Sequence, residues 1–350
     1  MTTSIWEDVV GQQVAIERLK RAALAPVHAY LFVGPAGSTK WQAARAFAAL
    51  LLAGTDDPSR RDVGLVLRGE HPDVKEIERV GPAISKDQAD DIVRTASLAP
   101  SEGERKVMIL DEFHLLRADA ASRLLKTIEE PPDSTTFLIL ADFVPQDLIT
   151  ISSRCAQIDF RLVDEQHVAD RLVIEGVDPE TAAEAAAAAG GNLDRARLLA
   201  TDPELAARRR AFFEVPQQLD GNGATVMRLV GELLGRIEAA AVPLAARHEL
   251  EVVAMHERIA RYGERGSGKK ALDERQKREL RRHRTDELLA GLTVIAGGYR
   301  DALVNGSVRR PDAVAEAVVR IHDAIGAFER NPNEALLLQS LLWSLPVLVS

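Results

Sequence analysis

The first half of the chain alternates short apolar runs with helix-period patterns. Residues 29–33 are apolar and stop at Gly34, 107–110 are apolar and stop at Asp111, 136–140 are rich in β-formers, and 156–160 alternate. Residues 73–77 form a shorter, weaker run of the same kind. Strands separated by helical stretches predict a parallel sheet covered on both faces. Two helices have legible ends. Ser85-Lys86-Asp87-Gln88 has capping-box spacing ahead of 89–98, and the helix through 122–130 is stopped by Pro131-Pro132. Beyond Phe160 the strand signals end. Residues 165–175 read as a helix. Asp178-Pro179 caps and starts the alanine-rich helix that Gly190-Gly191 closes, Asn192 can cap a short helix, and Asp202-Pro203 repeats the start signal before 204–214. From about residue 222 the pattern is helical throughout, with helices predicted over 224–240, 244–262, 285–304, 313–330 and 334–345. The segment 263–284 between the second and third of these is glycine-rich and then charged.

Composition narrows this picture. The chain has 350 residues, room for two or three domains, and 46% hydrophobic residues, enough for substantial cores. Aromatics at 4%, with abundant Ala and Leu, favour helices over a β-sandwich. A net charge of −9 does not mark a general nucleic-acid binder. The single cysteine, Cys155, can form neither an internal disulfide nor a cysteine-based zinc site. No apolar stretch reaches membrane-spanning length, and Met1–Asp8 lacks a secretory pattern, so a cytoplasmic protein without membrane association is expected.

The candidate chemistry sits at two strand ends. Gly34-Pro35-Ala36-Gly37-Ser38-Thr39-Lys40-Trp41 follows a strand and opens a helix, the setting of a G-x-x-x-x-G-K-[ST] phosphate loop. Such a loop surrounds phosphate oxygens with backbone N–H groups and a helix N-terminus. Gly34, Gly37 and Lys40 are candidate nucleotide-binding residues. The sixth position, normally glycine, is Thr39, and the eighth, normally a magnesium-ligating hydroxyl, is Trp41. An indole ligates no magnesium, so hydrolysis by this loop is not expected. Lys106–Leu110 leads into Asp111-Glu112, where a P-loop ATPase carries an acid that supports magnesium and one that orients water. These acids have two readings, a residual nucleotide site or strand-end carboxylates held by structural hydrogen bonds.

Several segments, in order, resemble the bacterial clamp-loader AAA+ family. They are Trp6-Glu7-Asp8-Val9-Val10-Gly11-Gln12, His28 through Pro35, Leu124-Leu125-Lys126-Thr127-Ile128-Glu129-Glu130-Pro131-Pro132, and Ser153-Arg154-Cys155. Together they cover 6–160. The departures point to the family's delta-prime branch rather than its motor subunits. Besides Thr39 and Trp41, Ala141-Asp142 stands where active relatives have Thr-Asn. Asp194 also stands where the lid motif has arginine, with Arg195 adjacent. The four-cysteine zinc module of many bacterial relatives has no counterpart in 54–71, and His71 reads as a turn residue before Pro72.

The resemblance implies an α/β P-loop AAA+ domain over 1–161, a small helical lid over 162–212 and an all-α collar over 213–350. It implies a component of the DNA polymerase III clamp loader in DNA replication, with no ATPase activity of its own and no cofactor beyond a vestigial ATP/Mg²⁺ site. The expected partners are gamma/tau motor subunits and delta in a pentamer, the sliding clamp, and primer–template DNA within the assembled loader. Arg154, with Ser153 beside it, would act as an arginine finger in trans. Arginine suits that role because its fixed charge and planar fork engage phosphate oxygens. Read without the family, Arg154 would simply pair with a nearby carboxylate. The competing function is an ATP-hydrolysing motor subunit or an autonomous P-loop ATPase. The segment 269–284 holds eight Lys/Arg against three acids. It reads either as a DNA- or partner-facing patch or as a solvated, partly disordered helix extension, and it has no aromatic residue to stack on bases.

Overall fold

The computed structural model describes residues 4–79, 83–262, 269–306, 308, 310–328 and 332–348. It divides into two compact units, 1–197 and 198–350.

In the first unit α1 (Gln13–Ala22) leads to β1 (Ala29–Val33), α2 (Lys40–Ala53), α3 (Arg61–Leu67) and β2 (Val74–Ile77). Then follow α4 (Lys86–Ser97), β3 (Lys106–Leu110), α5 (Ala118–Glu129), β4 (Thr135–Ala141), α6 (Ile149–Ser152) and β5 (Ala156–Asp159). Helices α7 (Glu165–Ile174), α8 (Pro179–Ala189) and α9 (Leu193–Ala200) come next. The five strands are all parallel, in the order β2-β3-β4-β1-β5.

Alternation along the strands explains why their sequences are apolar throughout. Tyr30, Phe32, Val107, Ile109, Leu138 and Leu140 pack with α1, α2 and α3 on one face. Ala29, Leu31, Met108, Leu110, Phe137 and Ile139 pack with α4 and α5 on the other. Both faces are covered, so neither set can be polar. Phe32, fully buried beside Phe47 and Phe160, is a position where truncation to alanine costs about 3–5 kcal/mol. Ser85 caps α4 by accepting from the Gln88 N–H, and Asp178 caps α8 with Pro179 at its first turn.

The second unit is helical, with α10 (Leu205–Phe213), α11 (Val215–Gln218), α12 (Gly223–Ala240), α13 (Val242–Tyr262), α14 (Lys269–Val304), α15 (Pro311–Ala327) and α16 (Glu334–Ser344). Leu229, Leu233, Leu288, Leu292, Ile295, Tyr299, Ile321 and Leu338 share one core. The helix expected over 285–304 begins sixteen residues earlier, so the basic stretch is its N-terminal half. Residues 263–268, the start of the glycine-rich segment, lie outside the described residues. The extension is held by α13 and the end of α12. Arg275 pairs with Glu251, Glu279 accepts from Arg247 and meets His248, and buried His283 contacts the Ala240 carbonyl. Among the described residues no helix is long and apolar enough to cross a membrane.

Candidate nucleotide-loop site

Strands β1, β3 and β4 are neighbours, and their C-terminal ends bring together Gly34, Asp111 and Asp142. In parallel α/β sheets this edge is where ligands bind. Gly34 donates its N–H to the Ala141 carbonyl at 3.1 Å, which fixes the loop's first residue against β4. A Cβ at Gly34 would lie 2.6 Å from Phe160 Cβ, so only glycine fits this approach.

Among the described residues the non-glycine positions with positive φ are Thr39 (φ 60°) and Glu112 (φ 48°). Thr39 occupies the loop position where glycine is usual. A β-branched residue there is strained by about 1–2 kcal/mol. Backbone strain of this kind concentrates at functional sites, and here both instances fall on the candidate site.

The loop's charges are taken up internally. Lys40 is 7% exposed. Its ammonium donates to Asp142 Oδ1 at 2.7 Å, to the Gly34 carbonyl at 2.8 Å and to the Pro35 carbonyl at 3.1 Å. Asp142 is held in turn by its own N–H, which donates to His114 Nδ1. Glu112 accepts from Arg79 Nε at 3.0 Å and Nη2 at 3.2 Å. Asp111 remains half-buried, and desolvation raises its carboxyl to about pH 6, with Lys40 and a backbone hydrogen bond from Glu112 pulling the other way. Trp41, in the first turn of α2, packs on the core, with the Arg45 guanidinium 5.6 Å from its ring centroid.

The rest of the first unit closes over the loop. Gln12 donates to the Ser38 and Arg161 carbonyls and accepts from the Arg161 N–H. Leu193 N–H donates to the Gly37 carbonyl at 3.3 Å, and a Cβ at Gly37 would come within 2.7 Å of Asn192 Cα. Arg195, beside the lid position that holds Asp194, turns back to the Ala188 carbonyl. Asp194 pairs with Arg197, which also grips Glu175.

Ser153 and Arg154 lie away from this cluster, between α6 and β5. Arg154 forms an ion pair with Glu129 at the end of α5, and its Nη1 donates to the Thr150 carbonyl at 2.6 Å. The Ser153 hydroxyl donates to the same carbonyl at 2.9 Å. The Cys155 thiol is pushed up to about 12 by burial and donates to the Ile151 carbonyl, the state of an unreactive thiol.

Asp62, His71 and Glu102 bring three ligand-type atoms within 4.8 Å of one another. The donor set does not fit a metal. His71 Nδ1 accepts the Asp73 N–H at 3.1 Å, so the imidazole proton sits on Nε2, the nitrogen that faces Asp62. A ligating nitrogen must be unprotonated. Arg61 already bonds both carboxylates.

The residues that sequence reasoning did not assign are Arg79, Glu129 and the role of Asp142. The substitution of Ala141-Asp142 for Thr-Asn was the one available signal, an acid introduced opposite the loop lysine.

A strand–loop–helix at the switch point of a parallel sheet, an acidic strand end beside it and the start of α9 against the loop define a protein of the P-loop α/β class. Comparison with known proteins narrows this. Residues 11–164 match the family model described as DNA polymerase III, delta subunit. The chain is 38% identical over 175 residues to the DNA polymerase III subunit tau of Bacillus subtilis, covering 48% of this chain and 31% of that protein. It is 32% identical over 159 residues to the DNA polymerase III subunit delta' of the same organism, covering 44% and 48%. These alignments take in less than half of each relative's own length. A gamma-subunit-related protein of Thermotoga maritima superposes with a TM-score of 0.45 at 16% identity, over 94% of this chain and 97% of that one. Over residues 11–164 the chain is similar to subunits of DNA polymerase III, tau and delta' among them.

Proposed function

We propose that the chain is a delta-prime-type component of a sliding-clamp loader in DNA replication. On this reading it turns over no ATP itself and supplies Arg154, oriented by Ser153, to ATP held by a neighbouring gamma/tau motor subunit. Its partners would be motor and delta subunits in a pentamer, with the sliding clamp and primer–template DNA reached through that assembly. The all-helical region from 213 onward would serve as the assembly collar, and 162–212 as the lid. Relatives named tau and delta' both align, so the choice between them rests on the loop.

The observation that carries the reading is that Lys40 and Glu112, two of the charges ATP hydrolysis needs, are each held by a partner within the chain, while Trp41 stands in the magnesium-hydroxyl position. Arg154 has different prospects. Its side chain is 38% exposed and that of Glu129 31%. A pair this open to solvent is worth about 0–1 kcal/mol, so exchanging Glu129 for a phosphate is inexpensive.

The test is single-turnover hydrolysis in a loader reconstituted from motor and delta subunits, with only the motor site next to this chain competent. Arg154→Ala should leave assembly intact and slow that site strongly, since arginine fingers are worth about 10³–10⁵ in rate. An unchanged rate in a correctly assembled complex removes the role. Magnesium-dependent ATP turnover by the purified chain, lost in Lys40→Ala, favours the motor-subunit reading instead.

A further inference from the structure

We infer that Asp142 is a built-in anion for this loop, its carboxylate occupying the electrostatic place of a bound phosphate and thereby masking a polyphosphate site that the fold still contains. The inference deepens the proposed function and rests on its reading of 34–41 as a nucleotide loop that no longer turns ATP over.

Three observations lead there. The first is the destination of the lysine. In a working phosphate loop the lysine ammonium faces phosphate oxygens. Here the buried ammonium of Lys40 faces a carboxylate oxygen at 2.7 Å, and that carboxylate stands just beyond the end of β4, next to β1 in the sheet. The second is the loop backbone. Thr39 keeps the left-handed conformation of the glycine it replaces, at φ 60° and ψ 18°, and α2 begins at the next residue. The loop therefore retains its shape although the residue best suited to that shape is gone. A fold that had only to join β1 to α2 could relax this strain. The third is Ser38. It is fully buried within the loop, and its hydroxyl has no hydrogen-bond partner. A buried hydroxyl with no partner in the chain is uncommon and leaves a hydrogen bond for a group outside it, such as a phosphate oxygen or a water.

Asp142 is placed to be more than a chance neighbour. Its N–H donates to His114 Nδ1, and its second carboxylate oxygen lies 3.8 Å from His114 Nε2. His114 follows Glu112 by two residues, so the acidic strand end and the masking carboxylate are tied together. On the far side Arg79 holds Glu112. Lys40 and Glu112 of the nucleotide site are thus both neutralised within the chain.

The ligand class is a linear polyphosphate, because Lys40 and the loop N–H groups are what the mask covers. The experiment uses the full chain and inorganic tripolyphosphate, titrated by calorimetry and by Trp41 fluorescence in a Trp6→Phe, Trp343→Phe background. The wild type should show no saturable binding. Asp142→Asn should bind by about tenfold or more tighter, and the gain should vanish in Asp142→Asn with Lys40→Met. Asp142→Ser serves as a second charge-removing variant should the asparagine fail to fold.

A folded Asp142→Asn or Asp142→Ser protein with no gain overturns the inference. So does a gain that survives Lys40→Met, or wild-type binding as tight as the variant's. Magnesium-dependent ATP hydrolysis by the wild type is a separate outcome. It would overturn the reading of the loop as inactive, and its absence leaves the tripolyphosphate result to decide on Asp142 alone.

Discussion

Replacing Asp111 with asparagine should stabilise the first unit, and by an amount that depends on pH. Desolvation raises the Asp111 carboxyl from 3.8 to about 6. An acid with a raised pKa binds its proton more tightly in the native state than in the unfolded chain. Stability therefore falls as pH rises from about 4 to about 6, and is level above that. The difference of about two decades in proton affinity corresponds to about 3 kcal/mol at neutral pH. Partial relaxation around a half-buried group lowers the expected gain to about 1.5–3 kcal/mol. Asparagine copies the protonated acid in shape and can still accept the Glu112 N–H that Asp111 uses. The assay is urea denaturation followed by tryptophan fluorescence in a Trp343→Phe background. Trp6 and Trp41 then report the first unit alone, and Trp343, at 63% exposure, is a mild substitution. Asp111→Asn should match its parent at about pH 4 and exceed it at about pH 8. A variant less stable than its parent at the higher pH, or a gain that is the same at both, would show that desolvation does not set this carboxyl's affinity.

Gly37→Ala should destabilise the first unit by about 2–4 kcal/mol, because it combines a side chain at φ 74° with a Cβ within 2.7 Å of Asn192 Cα. Chemical denaturation checks this, and a loss below about 1 kcal/mol means that the lid is not seated on the loop. Cys155 should resist iodoacetamide at neutral pH in the native chain and react promptly once unfolded, since burial pushes its thiol up to about 12. Native labelling at the unfolded rate would contradict that burial.

The sheet was legible because strands covered on both faces must be apolar along their length, and a turn residue or acid ends each run. Residues 29–33, 107–110 and 136–140 read directly as β1, β3 and β4 for that reason. The N-terminal half of α14 was legible only as one of two readings, a helix extension, and what holds it was not legible at all. Its stabilisation comes from Glu251, Arg247 and His248 on α13, and no periodicity within 269–284 encodes those partners. At the site, Gly34, Lys40, Asp111 and Glu112 could be placed because their chemistry is tied to strand ends. What each side chain bonds to could not. Arg79 reaches Glu112 across 33 residues and Asp142 reaches Lys40 across 102, distances at which spacing carries no geometric information.

Two segments that looked most like family signatures, Leu124–Pro132 and Ser153-Arg154-Cys155, were read as independent features. The fold joins them. Glu129 closes α5, Arg154 follows α6, and their side chains form an ion pair while α5 and α6 pack against each other. The same Thr150 carbonyl accepts from both Ser153 and Arg154, so the arginine's direction is set from two sides. The pattern is the reverse of the one at Lys40. There a buried charge is enclosed by a carboxylate and two carbonyls and can leave only if the loop reorganises. At Arg154 the charge is steered by a partly exposed carboxylate that solvent already weakens, so it stays aimed yet exchangeable. On the proposed reading, this contrast is what a chain needs in order to act on another subunit's phosphate: an enclosed lysine and an arginine that can exchange its partner.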